Sequence, residues 1–220
     1  GMSVWNRHHE IRAEATTALT QVDDPSRYGV VPTDPDGKVL GFVEQPPVGE
    51  APTNWINAGT YVLEPSVLQR IEPGRKVSIE RETFPAIVAD GGLWAVQSEA
   101  YWVDAGTPET YIQVQLDLLD GVRGAAVDGV AADASIDPSA VIERSVIMSG
   151  AAVAANAVIR GSIVSMDAVI GKDTLIEGSI LGPRAVVGAG AKLTELTMLG
   201  DSARVDDNAS LAGAKIPENE

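Results

Sequence analysis

From Ala134 onward one pattern governs the chain, a large aliphatic residue returning at steps of five or six. The series runs Ile136, Ile142, Ile147, Val153, Ile159, Val164, Ile170, Ile176, Leu181, Val187, Leu193, Leu199, Val205, Leu211 and Ile216. Two positions before each stands a small residue, from Ala134, Ala140 and Ser145 through to Ala209 and Ala214, and all fifteen positions obey the rule. Residues two apart on a strand face the same way, so large and small side chains alternate toward one interior. Ile136 to Val153, Val153 to Ile170 and Ile170 to Val187 are each seventeen residues, divided as six, five and six. A longer period made of three short sides describes a coil of triangular cross-section, and fifteen sides make five coils. A helix fits poorly, because steps of six and five do not keep one face at 3.6 residues per turn. Glycine and proline at Pro138, Gly150, Gly161, Gly171, Gly178, Gly182, Pro183 and Gly188 fall between the aliphatic anchors, where corners lie.

The first 120 residues lack this period, and strands alternate with helices in them. The pattern predicts a helix over 5–14, a strand over 15–22 and turn chemistry at Asp23-Asp24-Pro25-Ser26. Two strands, 29–31 and 38–44, flank the turn sequence Asp34-Pro35-Asp36-Gly37. A further strand is expected over 55–63, a short helix over 65–71, and a helix from the N-cap Ser78 to Asp90 with an acidic first turn. Strands over 93–96 and 100–103 follow, then a helix to Leu119 with Pro108 at its first position. The division is therefore a partial α/β domain over 1–121 and a β-helix of about five coils over 122–220.

The repeat resembles the left-handed parallel β-helix of the hexapeptide-repeat superfamily. Many members are acyltransferases with a histidine base near the prism, an imidazole being suited to the work by its near-neutral pKa. Here the histidines are His8 and His9, far upstream of the repeat, so acyl transfer is the weaker alternative. Gly188-Ala189-Gly190-Ala191-Lys192 lacks the spacing of a phosphate loop, and Ala191 belongs to the repeat.

Four segments of the first half stand in a telling order: Tyr28-Gly29-Val30, Glu44-Gln45-Pro46, Asn57-Ala58-Gly59-Thr60-Tyr61 and Tyr101-Trp102-Val103-Asp104-Ala105-Gly106-Thr107-Pro108. Ahead of a hexapeptide prism they resemble the nucleotidyltransferases that join a sugar 1-phosphate to a nucleoside triphosphate. Ser78-Ile79-Glu80-Arg81-Glu82-Thr83-Phe84-Pro85 is similar to the bacterial mannose-1-phosphate guanylyltransferase type. The resemblance implies a Rossmann-like catalytic domain whose sugar-binding half is present, with mannose 1-phosphate and GTP as substrates. Glu44 and Asn57 would bind sugar hydroxyls, the backbone of Gly29 and Gly59 would complete the pocket, and Glu80 would add a contact. Asp104 would be the catalytic carboxylate and the ligand of Mg²⁺, which prefers one or two carboxylates plus phosphate oxygens. Gln45 stands where the family commonly has lysine for the sugar phosphate, and it donates a hydrogen bond without a charge. The family's glycine-rich triphosphate loop and its Gly-Asp metal ligand have no counterpart in the sequence. The chain is thus expected to begin inside its catalytic domain and to be inactive alone. A non-catalytic regulatory or assembly subunit of the same ancestry is the alternative.

Charge and composition narrow the partners. Thirty-one acids against 16 bases give a net charge of −15, which opposes nucleic-acid binding. A small anion is still held by local cations, amides or a metal. The chain has no cysteine, so disulfides and thiolate zinc sites are excluded and a cytoplasmic setting is the default. No apolar run approaches a membrane span. An open-ended β-helix presents strand edges and flat sides, so a homo-oligomer through residues 130–216 is expected.

Overall fold

The computed structural model describes residues 3–217 and divides into two compact units, Gly1–Trp102 and Val103–Glu220. The first is built on a five-stranded sheet of order β3-β2-β4-β1-β5, with β1 Ala15–Gln21, β2 Gly29–Val30, β3 Val43–Glu44, β4 Trp55–Leu63 and β5 Leu93–Gln97. Strand β1 runs antiparallel to β4 and parallel to β5. It lies inside the sheet and is buried on both faces, with Ala15, Thr17 and Leu19 on one and Thr16 and Thr20 on the other. Helix α1, Val4–Ile11, is opened by the Ser3 side chain accepting from Asn6 N–H. It is shorter than the sequence suggests, because Arg12 adopts a left-handed conformation and returns its N–H to the His8 carbonyl, which ends the helix.

Phe84, Ile87, Leu93 and Leu19 fill the core of this unit. Phe84 sits at the start of helix α2, Phe84–Ala89, which follows a π-helical turn over Ile79–Thr83. Ser78 is the N-cap of that turn, its hydroxyl accepting from Arg81 N–H, as its residue type predicts. Two expected strands differ. The stretch 38–44 is a regular strand only at Val43–Glu44 near its end; Val39 makes an isolated bridge to Thr33 while its N–H is given to Leu93, and Lys38 bridges Trp94. Residues 100–103 form no strand. Their anchor is a side chain, the Trp102 indole N–H donating to Ala58 O at 3.1 Å, in place of a main-chain ladder.

The second unit is a parallel β-solenoid of fifteen short strands in three five-stranded walls. One wall stacks Val141–Glu143, Val158–Arg160, Leu175–Glu177, Lys192–Thr194 and Ser210–Ala212. The register pairs Ile142 with Ile159 and Ile159 with Ile176, so each aliphatic anchor sits on its equivalent in the next coil. The anchors and the small residues between them form one continuous core, with Ala151, Ala157, Ala168, Ala185 and Ala191 fully buried. The small serine positions serve one another: Ser145 Oγ accepts from Ser162 N–H and Ser162 Oγ from Ser179 N–H, both at 3.1 Å. Each hydroxyl donates to a carbonyl two residues back, so no buried donor of that ladder is wasted.

The fourth coil carries one extra residue, and the backbone shows where. At the equivalent corner of other coils one left-handed residue suffices, Gly161 or Gly178, whereas here Glu195 and Leu196 are both left-handed. Helix α3, Pro108–Leu119, belongs to this unit and covers a second wall, packing Ile112 and Leu116 against Ile163. Thr107 caps it in a reciprocal box with Thr110, and Pro108 occupies its first turn. No helix among the described residues is long and apolar enough to cross a membrane.

Candidate functional site

In the first unit three of the four sequence segments, with Trp102 of the fourth, come together around a distortion in β4. Thr17 of β1 pairs with Tyr61, yet Leu19 pairs with Asn57, so Ala58, Gly59 and Thr60 stand opposite the single residue Ala18. That is a bulge, and Gly59 sits in it at φ +75°, a conformation that suits glycine. The Asn57 side chain organises it. Its Oδ1 accepts from Gly59 N–H and from the Thr17 hydroxyl, both at 3.1 Å. Its Nδ2 donates to Tyr61 Oη at 2.6 Å and to Glu80 Oε1 at 2.8 Å. The opposite amide orientation would set an NH₂ against the Gly59 N–H, so the network fixes the assignment.

Glu80 reaches this point from the first turn of the π-helical segment and also accepts from Tyr61 Oη at 3.3 Å. Its neighbour Glu82 is turned away, paired with Arg75 at 2.8 Å. Glu44 arrives from the sheet edge, where it is the register partner of Gly29. A Cβ on Gly29 would stand 2.7 Å from Phe42 and 3.0 Å from Glu44 Oε2, so glycine makes the room that this carboxylate occupies. Glu44 Oε2 is buried without a hydrogen-bond partner. Burial raises the Glu44 carboxyl above its ordinary range, the negative charge of Glu80 adds to the rise, and Arg81 opposes it. Burial likewise raises the Tyr61 phenol. Trp102 closes the group, its indole on the Ala58 carbonyl and its ring edge-on to Tyr28 at 5.8 Å.

Of the residues singled out in the sequence, Gly29, Glu44, Asn57, Gly59 and Glu80 thus lie in one neighbourhood. Gln45 is exposed, with a left-handed backbone (φ 48°) and its N–H on the Tyr28 carbonyl. Asp104 belongs to the second unit and is exposed; a Cβ on Gly106 would stand 3.1 Å from its Oδ1, so that glycine leaves the carboxylate clear. An exposed carboxylate is the hard oxygen donor that Mg²⁺ takes, with phosphate oxygens supplying the rest. Among the described residues no group of three or more His, Cys, Asp or Glu is placed to hold a metal. His8, the other chemically notable side chain, is buried against Thr16 at 2.9 Å and Glu64 at 3.2 Å, as part of the packing of α1. Sequence reasoning missed the parts played by Thr17, Tyr61 and Trp102. The last two lie inside segments that it singled out, whereas a threonine in a strand carries no signal.

Comparison with known proteins bears on this arrangement. The nucleotidyl transferase family matches residues 2–121, and the GMPPB C-terminal domain matches residues 129–220. The chain belongs to the nucleotidyl transferase family. Among curated relatives, the mannose-1-phosphate guanylyltransferase of Mycobacterium tuberculosis is 38% identical over 149 residues, covering 66% of this chain and 41% of that protein. Probable mannose-1-phosphate guanylyltransferase 1 of Oryza sativa subsp. japonica is 43% identical over 148 residues, 66% of this chain and 40% of the relative. The mannose-1-phosphate guanyltransferase of Emericella nidulans is 50% identical over 101 residues, covering 45% of this chain and 27% of its own. The chain spans about two-fifths of the length of the first two of these relatives. The bulge, the carboxylates and the glycine at position 29 all lie within the region that matches the family.

Proposed function

We propose that the Glu44, Asn57, Glu80 neighbourhood is the sugar-binding half of a sugar 1-phosphate nucleotidyltransferase, with mannose 1-phosphate and GTP as the substrate pair. The observation that carries this reading is the buried, unpartnered Oε2 of Glu44 beside a second carboxylate. A buried acceptor without a donor is costly, and a sugar hydroxyl supplies the missing proton donor. Two carboxylates suit a neutral polyol and repel an anionic ring. In the reaction a sugar-phosphate oxygen attacks the α-phosphorus of the nucleotide and pyrophosphate leaves, so positioning and charge neutralisation do most of the work. Glu44 and Glu80 hold hydroxyls, the backbone of Gly29 and Gly59 bounds the ring, and Gln45 offers the phosphate a neutral hydrogen bond. Asp104 would hold Mg²⁺, which neutralises phosphate charge when bound.

The reading is tested by titrating mannose 1-phosphate into the protein by calorimetry. Saturable binding is expected, weakened about tenfold by Glu44→Gln or Glu80→Gln, the order expected for a lost hydrogen bond to a charged group. Unchanged affinity in both variants overturns it. Association of two copies through residues 130–216 is part of the same proposal. It is supported by the apolar outward ladder Ala152, Val169 and Val186, of which Val169 is 46% exposed. Light scattering at tens of micromolar distinguishes the dimer from a monomer that would refute it.

A further inference from the structure

We infer that Thr17 and Tyr61 are positioning residues that act through Asn57 to set the Glu80 carboxylate; this rests on the sugar-site reading above. An amide side chain has two donor and two acceptor positions, and Asn57 has spent all four inside the protein. It therefore has nothing left for a ligand, and its work is to link the bulge to Glu80. Tyr61 completes a closed triangle: Asn57 Nδ2 donates to Tyr61 Oη, Tyr61 Oη–H donates to Glu80 Oε1, and Asn57 Nδ2 donates to the same oxygen. With two donors on Oε1, the lone pairs of Glu80 Oε2 remain for a hydroxyl, in one fixed direction.

Thr17 sets the far end of this chain. It is fully buried in β1, and its hydroxyl lies 3.1 Å from Asn57 Oδ1 and 3.2 Å from the Ala18 carbonyl. Since Asn57 Oδ1 also takes the Gly59 N–H, the threonine hydroxyl helps fix which way the amide faces, and so which atom meets Glu80. The specificity of the site for hydroxyl geometry then resides partly in residues that touch no ligand.

The test uses the whole chain with mannose 1-phosphate as probe. Thr17→Val, nearly isosteric but without a hydroxyl, and Tyr61→Phe should each weaken binding about tenfold, while Thr17→Ser retains wild-type affinity. In a Glu80→Gln background Tyr61→Phe should add little further loss, because it acts through the group already changed. A purely structural role would lower affinity equally in both backgrounds, and that outcome overturns the inference, as does wild-type affinity in Thr17→Val and Tyr61→Phe. A ligand-free readout separates the two claims. By NMR the Asn57 side-chain amide protons should exchange slowly in the wild type and Thr17→Ser, and at least tenfold faster in Tyr61→Phe. Unprotected amide protons in the wild type remove the frame itself. Protected protons without any binding of mannose 1-phosphate overturn the sugar-site reading, and the positioning role with it, while the frame stands.

Discussion

The two units assign roles to residues in opposite ways. In the solenoid a residue's place in the period decides everything: Ala157, Ala168 and Ala185 are buried for the same reason, each standing two positions before an anchor. Swapping one for another would change little. In the sheet unit no two residues hold equivalent positions. Asn57 is irreplaceable because of what Thr17, Gly59, Tyr61 and Glu80 each present to it, at distances of 2.6 to 3.1 Å. Repetition yields a regular scaffold in which the serine hydroxyls are answered within their own stack, as in the Ser145, Ser162, Ser179 ladder, with Thr174 Oγ1 left buried and unpartnered. Irregularity yields the places where something is left over: a bulge, a left-handed Gln45, a carboxylate oxygen with no donor. Binding chemistry belongs to the second kind of region.

The largest effect that would break this contrast is an enlargement inside the prism. Ala168 is fully buried, two positions before Ile170, and its wall stacks at a fixed register with no room to spread. Ala168→Leu should cost about 1–3 kcal/mol by overpacking, read as a lowered thermal midpoint. An unchanged midpoint would show that the small positions are not interior and that the periodic assignment is misplaced.

Legibility follows the same divide. The solenoid could be read almost residue by residue, because its constraint repeats fifteen times and a local error is corrected by its neighbours. Even its irregularity, the extra residue of the fourth coil, shows as a step of six from Leu193 to Leu199 where Ile176 to Leu181 takes five. The sheet unit gave up its longer elements: β4 spans Trp55–Leu63 as expected, and Ser78 caps the turn before Phe84. Residues 100–103 misled, since their aromatic and β-branched composition reads as a strand while Trp102 is held by its indole. At Asn57-Ala58-Gly59 backbone shape and site geometry are joined, because the side chain that shapes the bulge also holds Glu80. Thr17 was illegible because its contribution depends on a residue forty positions away across the sheet.

The smallest and sharpest test concerns Glu44, where the sheet unit keeps an ionisable group in a setting that does not favour its charge. Its carboxyl is raised chiefly by burial, then by Glu80. The sign follows from proton counting. Between the ordinary carboxyl range near pH 4.5 and the raised folded value, the folded state binds more protons than the unfolded chain, so stability falls as pH rises through that window. Above the folded value the penalty is complete and constant. Glu44→Gln removes it, and the variant should therefore melt slightly above the wild type at pH 7, with the difference vanishing as pH drops below the ordinary carboxyl range. The same variant loses affinity for mannose 1-phosphate under the proposed function, so stability and binding should move in opposite directions at one residue. Melting curves at pH 3.5 and pH 7 decide it. A variant less stable than the wild type at pH 7 would mean that Glu44 is held by donors of the protein's own, and the unpartnered oxygen that points to a sugar hydroxyl would lose its meaning.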